Sequence, residues 1–220
     1  MLDSAAALVL EIYRFCHLTY SNPSVLKFGS RSILSQEGPQ QGDPLGPLLF
    51  CITIHPMLTS LSSELVIGYL DDITLGDVES VVDRDVQEVR IQGEAMELKL
   101  NVSKCEYISR SGSTTVVNFR EFIHLQPRNA TLLGAPLTAG DAMDAALQDR
   151  CNGLARAIER LKLLTAHDSL ILLRSSFSAP KILHTLRCSP CANHPSLALF
   201  DRLIKTGVIS ITNSNLSATQ

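Results

Sequence analysis

Tryptophan is absent from the chain, and aromatic residues of every kind make up only 5% of it. Its core must therefore be lean in large rings, although a content of 45% hydrophobic residues excludes a disordered chain. Long apolar runs are missing too. The longest, near Leu48–Ile54, is too short to cross a bilayer, so no membrane partner is expected. Ala5–Leu10 is apolar, but Asp3 and Glu11 flank it and no basic region precedes it, which argues against a signal peptide. Repeats and low-complexity tracts are lacking. Cysteine occurs at six positions (16, 51, 105, 151, 188 and 191), scattered mostly inside apolar runs. That pattern excludes a disulfide framework and reads as buried thiols in a reducing, intracellular compartment, with nuclear or cytoplasmic residence undetermined.

The chain has 220 residues, enough for one ordinary domain or a domain with an appendage. The net charge of −3 conceals an asymmetry. Residues 1–149 hold 10 basic and 19 acidic side chains, a net −9, whereas residues 150–220 hold 9 basic and 3 acidic, a net +6. Two solvated faces of unequal charge would look like this. So would a metal-dependent nucleic-acid enzyme, with acids for the metals and a basic part for the phosphate backbone.

Helical spacing of Leu8, Ile12, Phe15 and Leu18 predicts a helix over 5–20, ended by Pro23. Val25–Phe28 and Ile33–Gln36 read as a hairpin around Gly29-Ser30-Arg31-Ser32. Leu45–Leu61 reads as an apolar helix bent or interrupted near Pro56. A second hairpin pairs Leu65–Tyr69 with Ile73–Gly76, and a helix comes next over about 80–98, with valines on one face and Asp83 and Asp85 among the residues turned elsewhere. Strands are expected over 105–109 and 131–133, then helices over 142–164, 168–177, 180–187 and 196–211. The composition shifts near Ala139-Gly140, which divides a mixed unit with antiparallel hairpins from a basic helical one. Helices covering one face of an antiparallel sheet make an α+β architecture.

Two segments carry chemistry. In Tyr69-Leu70-Asp71-Asp72 two acids sit side by side between apolar runs. Neighbouring side chains on a regular strand point to opposite faces, so the two carboxylates can act together only where the strand turns. A hairpin tip would hold both charges where their repulsion calls for a cation, and hard oxygen ligands suit Mg²⁺; an acidic surface turn is the plain alternative. The second segment is Gln40-Gln41-Gly42-Asp43-Pro44-Leu45. Gly42 at a loop-to-helix junction permits close backbone approach, Asp43 is placed to cap the helix and Pro44 to start it, and a helix N-terminus favours phosphate.

Together these segments resemble the reverse transcriptase palm, most closely the non-LTR retrotransposon type, from about residue 12 to about 140. Gln41-Gly42-Asp43-Pro44-Leu45 is similar to motif B and Tyr69-Leu70-Asp71-Asp72 to the catalytic motif C. Leu98–Glu106 is similar to motif D, and Leu132-Leu133-Gly134 to the primer-grip turn of motif E. The resemblance implies RNA-directed DNA synthesis by two metal ions, Mg²⁺ or Mn²⁺, with RNA template, DNA primer and deoxynucleotide as partners. It implies that Asp71 and Asp72 are catalytic metal ligands, that Gln41 and Gly42 face nucleotide and template, and that Tyr69 packs near the primer end. Lys104 would be the general acid for pyrophosphate, unless it is an ordinary solvated lysine. Leu133 and Gly134 would position the primer backbone. The fold implied is a partial palm over 1–139, carrying motifs B to E, with an all-helical, basic, thumb-like segment over 140–220.

This sequence departs from the family pattern at Gly46, where many members have Ser or Ala, and more seriously in the expected motif A. No strand with an aspartate to oppose Asp71 can be found: Asp3 has two residues before it. The fingers region is missing as well. The expectation is a truncated palm with an incomplete two-ion site, inactive alone, aggregation-prone through an exposed sheet edge, and partnered by the missing N-terminal half. A non-catalytic nucleic-acid-binding or assembly module that keeps the polymerase fold is the alternative.

In the basic part, Arg156 and Arg160 lie one helical turn apart with Lys162 close behind, so they could line a phosphate track or form a solvated face. His184, Cys188, Cys191 and His194 offer four potential zinc ligands around a Cys-x-x-Cys core, although Pro190 and Pro195 also suit an ordinary turn.

Overall fold

The computed structural model describes residues 1–35, 38–40, 42–110 and 116–214. The chain forms two compact units, one of Met1–Val102 with Val116–Arg120 and the other of Ser103–Thr115 with Glu121–Gln220. Packing thus divides the chain elsewhere than composition does. The architecture is α+β. Among the described residues its strands make four two-stranded sheets, three antiparallel and one parallel.

The first unit opens with α1 (Leu2–Leu8) and α2 (Leu10–Tyr20), where the periodicity predicts one helix. Val9, at φ −143° and ψ 62°, breaks it. The reason is packing. Ala5 and Cys16 are both fully buried in one cluster with Leu49, yet eleven residues of straight helix would hold them roughly 16 Å apart. Then β1 (Ser24–Phe28) pairs antiparallel with β2 (Arg31–Ser35) across a two-residue turn, Gly29-Ser30, with Gly29 at φ +60°. The tight turn draws Arg31 and Ser32 into the ladder rather than the loop; the expected strand residue Gln36 lies outside the described residues. This hairpin exposes Val25, Leu26, Phe28, Ile33 and Leu34.

Helix α3 (Gly46–Ser60) runs through Pro56 and buries Leu49, Ile54 and Met57. The hairpin of β3 (Leu65–Tyr69) and β4 (Asp72–Gly76) comes next, then α4 (Glu79–Ala95). Two acids of the charged run on α4, Asp83 and Asp85, are held by the fold. Asp85 is only 3% exposed, and Asp83 accepts a 2.6 Å hydrogen bond from Asn118 in the short segment that returns to this unit, whose Phe119 is buried.

In the second unit, β5 (Glu106–Ile108) pairs in parallel with β6 (Ile123–Leu125), and β7 (Thr131–Leu132) turns tightly into β8 (Ala135–Pro136). Neither β6 nor β8 is evident from alternation, because three- and two-residue strands are too short to show a period. Then come α5 (Asp141–Leu161), α6 (Ala166–Leu172) extended by a π-helical turn Leu173–Phe177, α7 (Ala179–Cys188) and α8 (Pro195–Thr212). Along α5, Met143, Leu147, Cys151, Leu154, Ile158 and Leu161 are buried at spacings of three and four, one face of an amphipathic helix. They share a core with Leu173, Ile182, Cys191 and Phe200. Gly207 lets α8 approach α5: a Cβ there would lie 2.9 Å from the Ile158 side chain. No helix among the described residues is long and apolar enough to cross a membrane.

Candidate active site

The acidic pair sits at the tip of the β3–β4 hairpin. The register pairs Leu65 with Gly76 and Tyr69 with Asp72, leaving Leu70-Asp71 as the two turn residues. Leu70 takes φ +55°, the left-handed conformation that a two-residue hairpin turn requires. Asp71 is thereby in the turn, while Asp72 begins the return strand opposite Tyr69, sharing its face. Asp71, Asp72 and Tyr69 are all exposed.

Four aspartates surround this hairpin, and the structure separates them by task. Asp77 closes its base: one carboxylate oxygen accepts from the Glu64 amide at 2.9 Å and the other from the Val78 amide at 2.6 Å. Asp85 clamps the loop that enters β3. It accepts from the Ser62 amide, and its Oδ2 accepts from the Ser63 amide and hydroxyl, each at 2.6 Å. Burial alone would push this carboxyl up. The Ser63 hydroxyl, the Ser62 and Ser63 amides and the nearby Arg84 outweigh burial and hold it below the ordinary carboxylate value. The hairpin floor is equally constrained, since a Cβ at Gly68 would come within 2.5 Å of Leu58 on α3. A rigid base with two spoken-for acids therefore presents two acids to solvent at its tip. The chemistry of those donors suits a hard divalent cation. Their number is short of a full protein ligand set: among the described residues no three His, Cys, Asp or Glu side chains come together as a metal group.

The loop before α3 differs from the sequence expectation. Leu45 is the N-cap, Gly46 the first helical residue and Pro47 the second, so Pro44 lies in the preceding turn. Asp43 acts one step earlier: its Oδ1 accepts from the Leu45 amide at 2.8 Å, an Asx-type turn, and its Oδ2 accepts from the Tyr20 hydroxyl. Gln40 donates to the Ser24 hydroxyl at 2.6 Å. Gly42 adopts φ +91°, which explains glycine there, and it is exposed. Gln41 lies outside the described residues. Gly46 is buried, with a built Cβ 3.4 Å from the Pro39 side chain. The Tyr20 anchor could not be read from sequence, because nothing local links a helix C-terminus to an aspartate 23 positions on.

The remaining candidates belong to the second unit. Lys104 is exposed at the end of a short 3-10 helix, Val102–Lys104. Leu133 and Gly134 are the turn residues between β7 and β8, at φ +48° and +77°, and both are exposed. Arg156 and Arg160 are exposed one turn apart on α5. Lys162 is partly engaged, 2.6 Å from Glu159.

The zinc candidates do not converge. Cys191 is buried in the helical core and donates to the Thr185 carbonyl. His194 caps α8, accepting from the Ser196 amide through Nδ1, while Nε2 faces Asp144 at 2.8 Å.

A sequence-family profile described as reverse transcriptase (RNA-dependent DNA polymerase) matches residues 6–137, well over half of the chain and a span that includes all four motif segments. No curated protein and no solved structure matches the chain. The acidic hairpin, the loop preceding α3 and this match agree: the chain belongs to the reverse transcriptase (RNA-dependent DNA polymerase) family.

Proposed function

We propose that the chain carries part of a polymerase built for template-directed nucleotidyl transfer, with the Asp71-Asp72 tip as its cation-facing element. The single observation behind this reading is the division of labour at the hairpin. Asp77 and Asp85 are consumed by backbone amides, whereas Asp71 and Asp72 stand exposed on a tight turn. Residues 1–139 would correspond to a palm of the non-LTR retrotransposon type, carrying motifs B to E, and residues 140–220 to a thumb-like region. Asp71 and Asp72 would hold Mg²⁺ or Mn²⁺; such ions, when bound, activate a primer hydroxyl and stabilise a leaving pyrophosphate. Gln41, Gly42 and Tyr69 would meet the nucleotide, template and primer end, Lys104 would hand a proton to pyrophosphate, and Leu133 and Gly134 would seat the primer. Arg156, Arg160 and Lys162 would track the backbone of an RNA–DNA duplex.

Two carboxylates are only one side of such a site. We propose that this chain binds primed template but does not extend it unaided, and that its further partner is a polypeptide supplying the opposing carboxylate. Among the described residues no third His, Cys, Asp or Glu side chain joins Asp71 and Asp72 in a metal group. Incubated with primed RNA, deoxynucleotides and Mg²⁺ or Mn²⁺, the chain should give no product above background. Mn²⁺ should broaden amide resonances around residues 69–73, and Asp71→Asn should abolish that broadening. Extension that disappears in Asp71→Asn would overturn the incompleteness. Broadening that is absent or scattered would overturn the cation site and leave the non-catalytic binding role.

A further inference from the structure

Cys188 closes α7, and His184 lies one turn before it on the same face. The two are 3.6 Å apart, Sγ to Nδ1. The other ring nitrogen, Nε2, lies 3.1 Å from the carbonyl oxygen of Leu133 at the β7–β8 turn. A carbonyl can only accept, so Nε2 carries the ring proton. In the neutral imidazole Nδ1 is then an acceptor, and the Cys188 thiol is placed to donate to it. The sulfur thus has a base, and the base has an orienting group drawn from a different element. That is the arrangement that activates a nucleophile. Both side chains are exposed, and the turn that orients His184 belongs to the same compact unit.

We propose that Cys188 is a base-assisted nucleophilic thiol that forms mixed disulfides with low-molecular-weight disulfides of the glutathione type. The thiol proton passes to His184 Nδ1, and the freed sulfur electron pair attacks one sulfur of the disulfide R–S–S–R. The Sγ–S bond forms as the S–S bond breaks. The departing RS⁻ carries away the bonding pair and takes the proton back from His184. Cys188–SH and RSSR become Cys188–S–SR and RSH, and an excess of small thiol reverses the step. This site shares Leu133 with the nucleotidyl-transfer reading, as a carbonyl that orients His184, but does not depend on that reading.

The chain supplies its own comparator, because Cys51 on α3 is likewise exposed, whereas Cys16, Cys151 and Cys191 are buried. Native full-length chain should be treated with 5,5′-dithiobis(2-nitrobenzoate), monitoring thionitrobenzoate release and assigning the modified cysteines by peptide mass. The expected result is a fast phase of one equivalent at Cys188, about tenfold or more faster than Cys51. His184→Gln should bring Cys188 to within about twofold of Cys51, since an amide cannot accept the thiol proton as a base. Should Cys151 and Cys191 react as well in that variant, its fold is lost and the wild-type ratio of Cys188 to Cys51 decides alone. A wild-type Cys188 no faster than Cys51, or a fast phase that survives His184→Gln in a folded protein, would overturn the assignment.

Discussion

Asp85 gathers three donors, the Ser62 amide and the Ser63 amide and hydroxyl, at a position only 3% exposed. Truncating it leaves two loop amides without their acceptor, at a cost of order 1–3 kcal/mol for each buried unsatisfied group. Asp85→Ala should therefore lower the free energy of unfolding by about 3 kcal/mol in urea titration, whereas the exposed Asp72→Ala should change it by less than about 0.5 kcal/mol. The pH dependence has a definite sign. The folded-state carboxyl is held below its ordinary value of 3.8, so its contribution is complete above that value and is lost as pH falls through the lower folded one. The stability gap between wild type and Asp85→Asn should stay constant from neutral pH down to about 5 and then narrow. None of this is legible along the chain. Asp85 sits in a run of charged residues on an amphipathic helix, and its partners lie 22 and 23 positions earlier.

At the scale of elements, turns and tight approaches carry most of the specification. The two-residue length of the connections Gly29-Ser30 and Leu70-Asp71 emerges only in the strand register, but both hairpins, as apolar runs flanking turn residues, are readable in the sequence. Helix breaks are not. Val9 has no sequence signature of a terminator; it breaks because Ala5 and Cys16 must converge on Leu49. Gly140 shows how a cap can depend on a distant neighbour. It precedes α5 at φ +146°, and a Cβ there would meet the Arg128 Cβ at 2.7 Å and its carbonyl oxygen at 3.1 Å. Backbone strain and overlap act together, so Gly140→Ala should cost about 2 kcal/mol. Circular dichroism melts should place the loss in a lowered Tm, while Gly153→Ala, in open space on the same helix, should leave Tm unchanged or raised.

For the molecule as a whole, charge and exposed apolar surface set the behaviour to be tested. On the proposed phosphate track, Arg156 and Arg160 take no part in the ion pairs seen among the described residues, whereas Lys162 lies beside Glu159. If the track operates, log affinity for RNA–DNA duplex should fall linearly with log salt, and Arg156→Ala with Arg160→Ala together should reduce the slope by about 1.8. Lys162→Ala should reduce it by less, because its charge is already partly neutralised. The β1–β2 hairpin leaves five large apolar side chains in solvent, including Phe28 at 78% exposure.

The sequence by itself determined the family, the α+β class and the acidic tip. These rest on local properties: hydrophobic period, turn residues between apolar runs, and short runs of residues whose meaning lies in their own order. Tertiary structure alone decided which aspartates hold the scaffold and which face solvent, where the first helix breaks, and why His184 turns one nitrogen to Leu133 and the other to Cys188. Each of those depends on groups brought together by the fold, and at Asp85 and in the Ala5, Cys16 and Leu49 cluster burial that removes water is what makes the meeting energetically decisive.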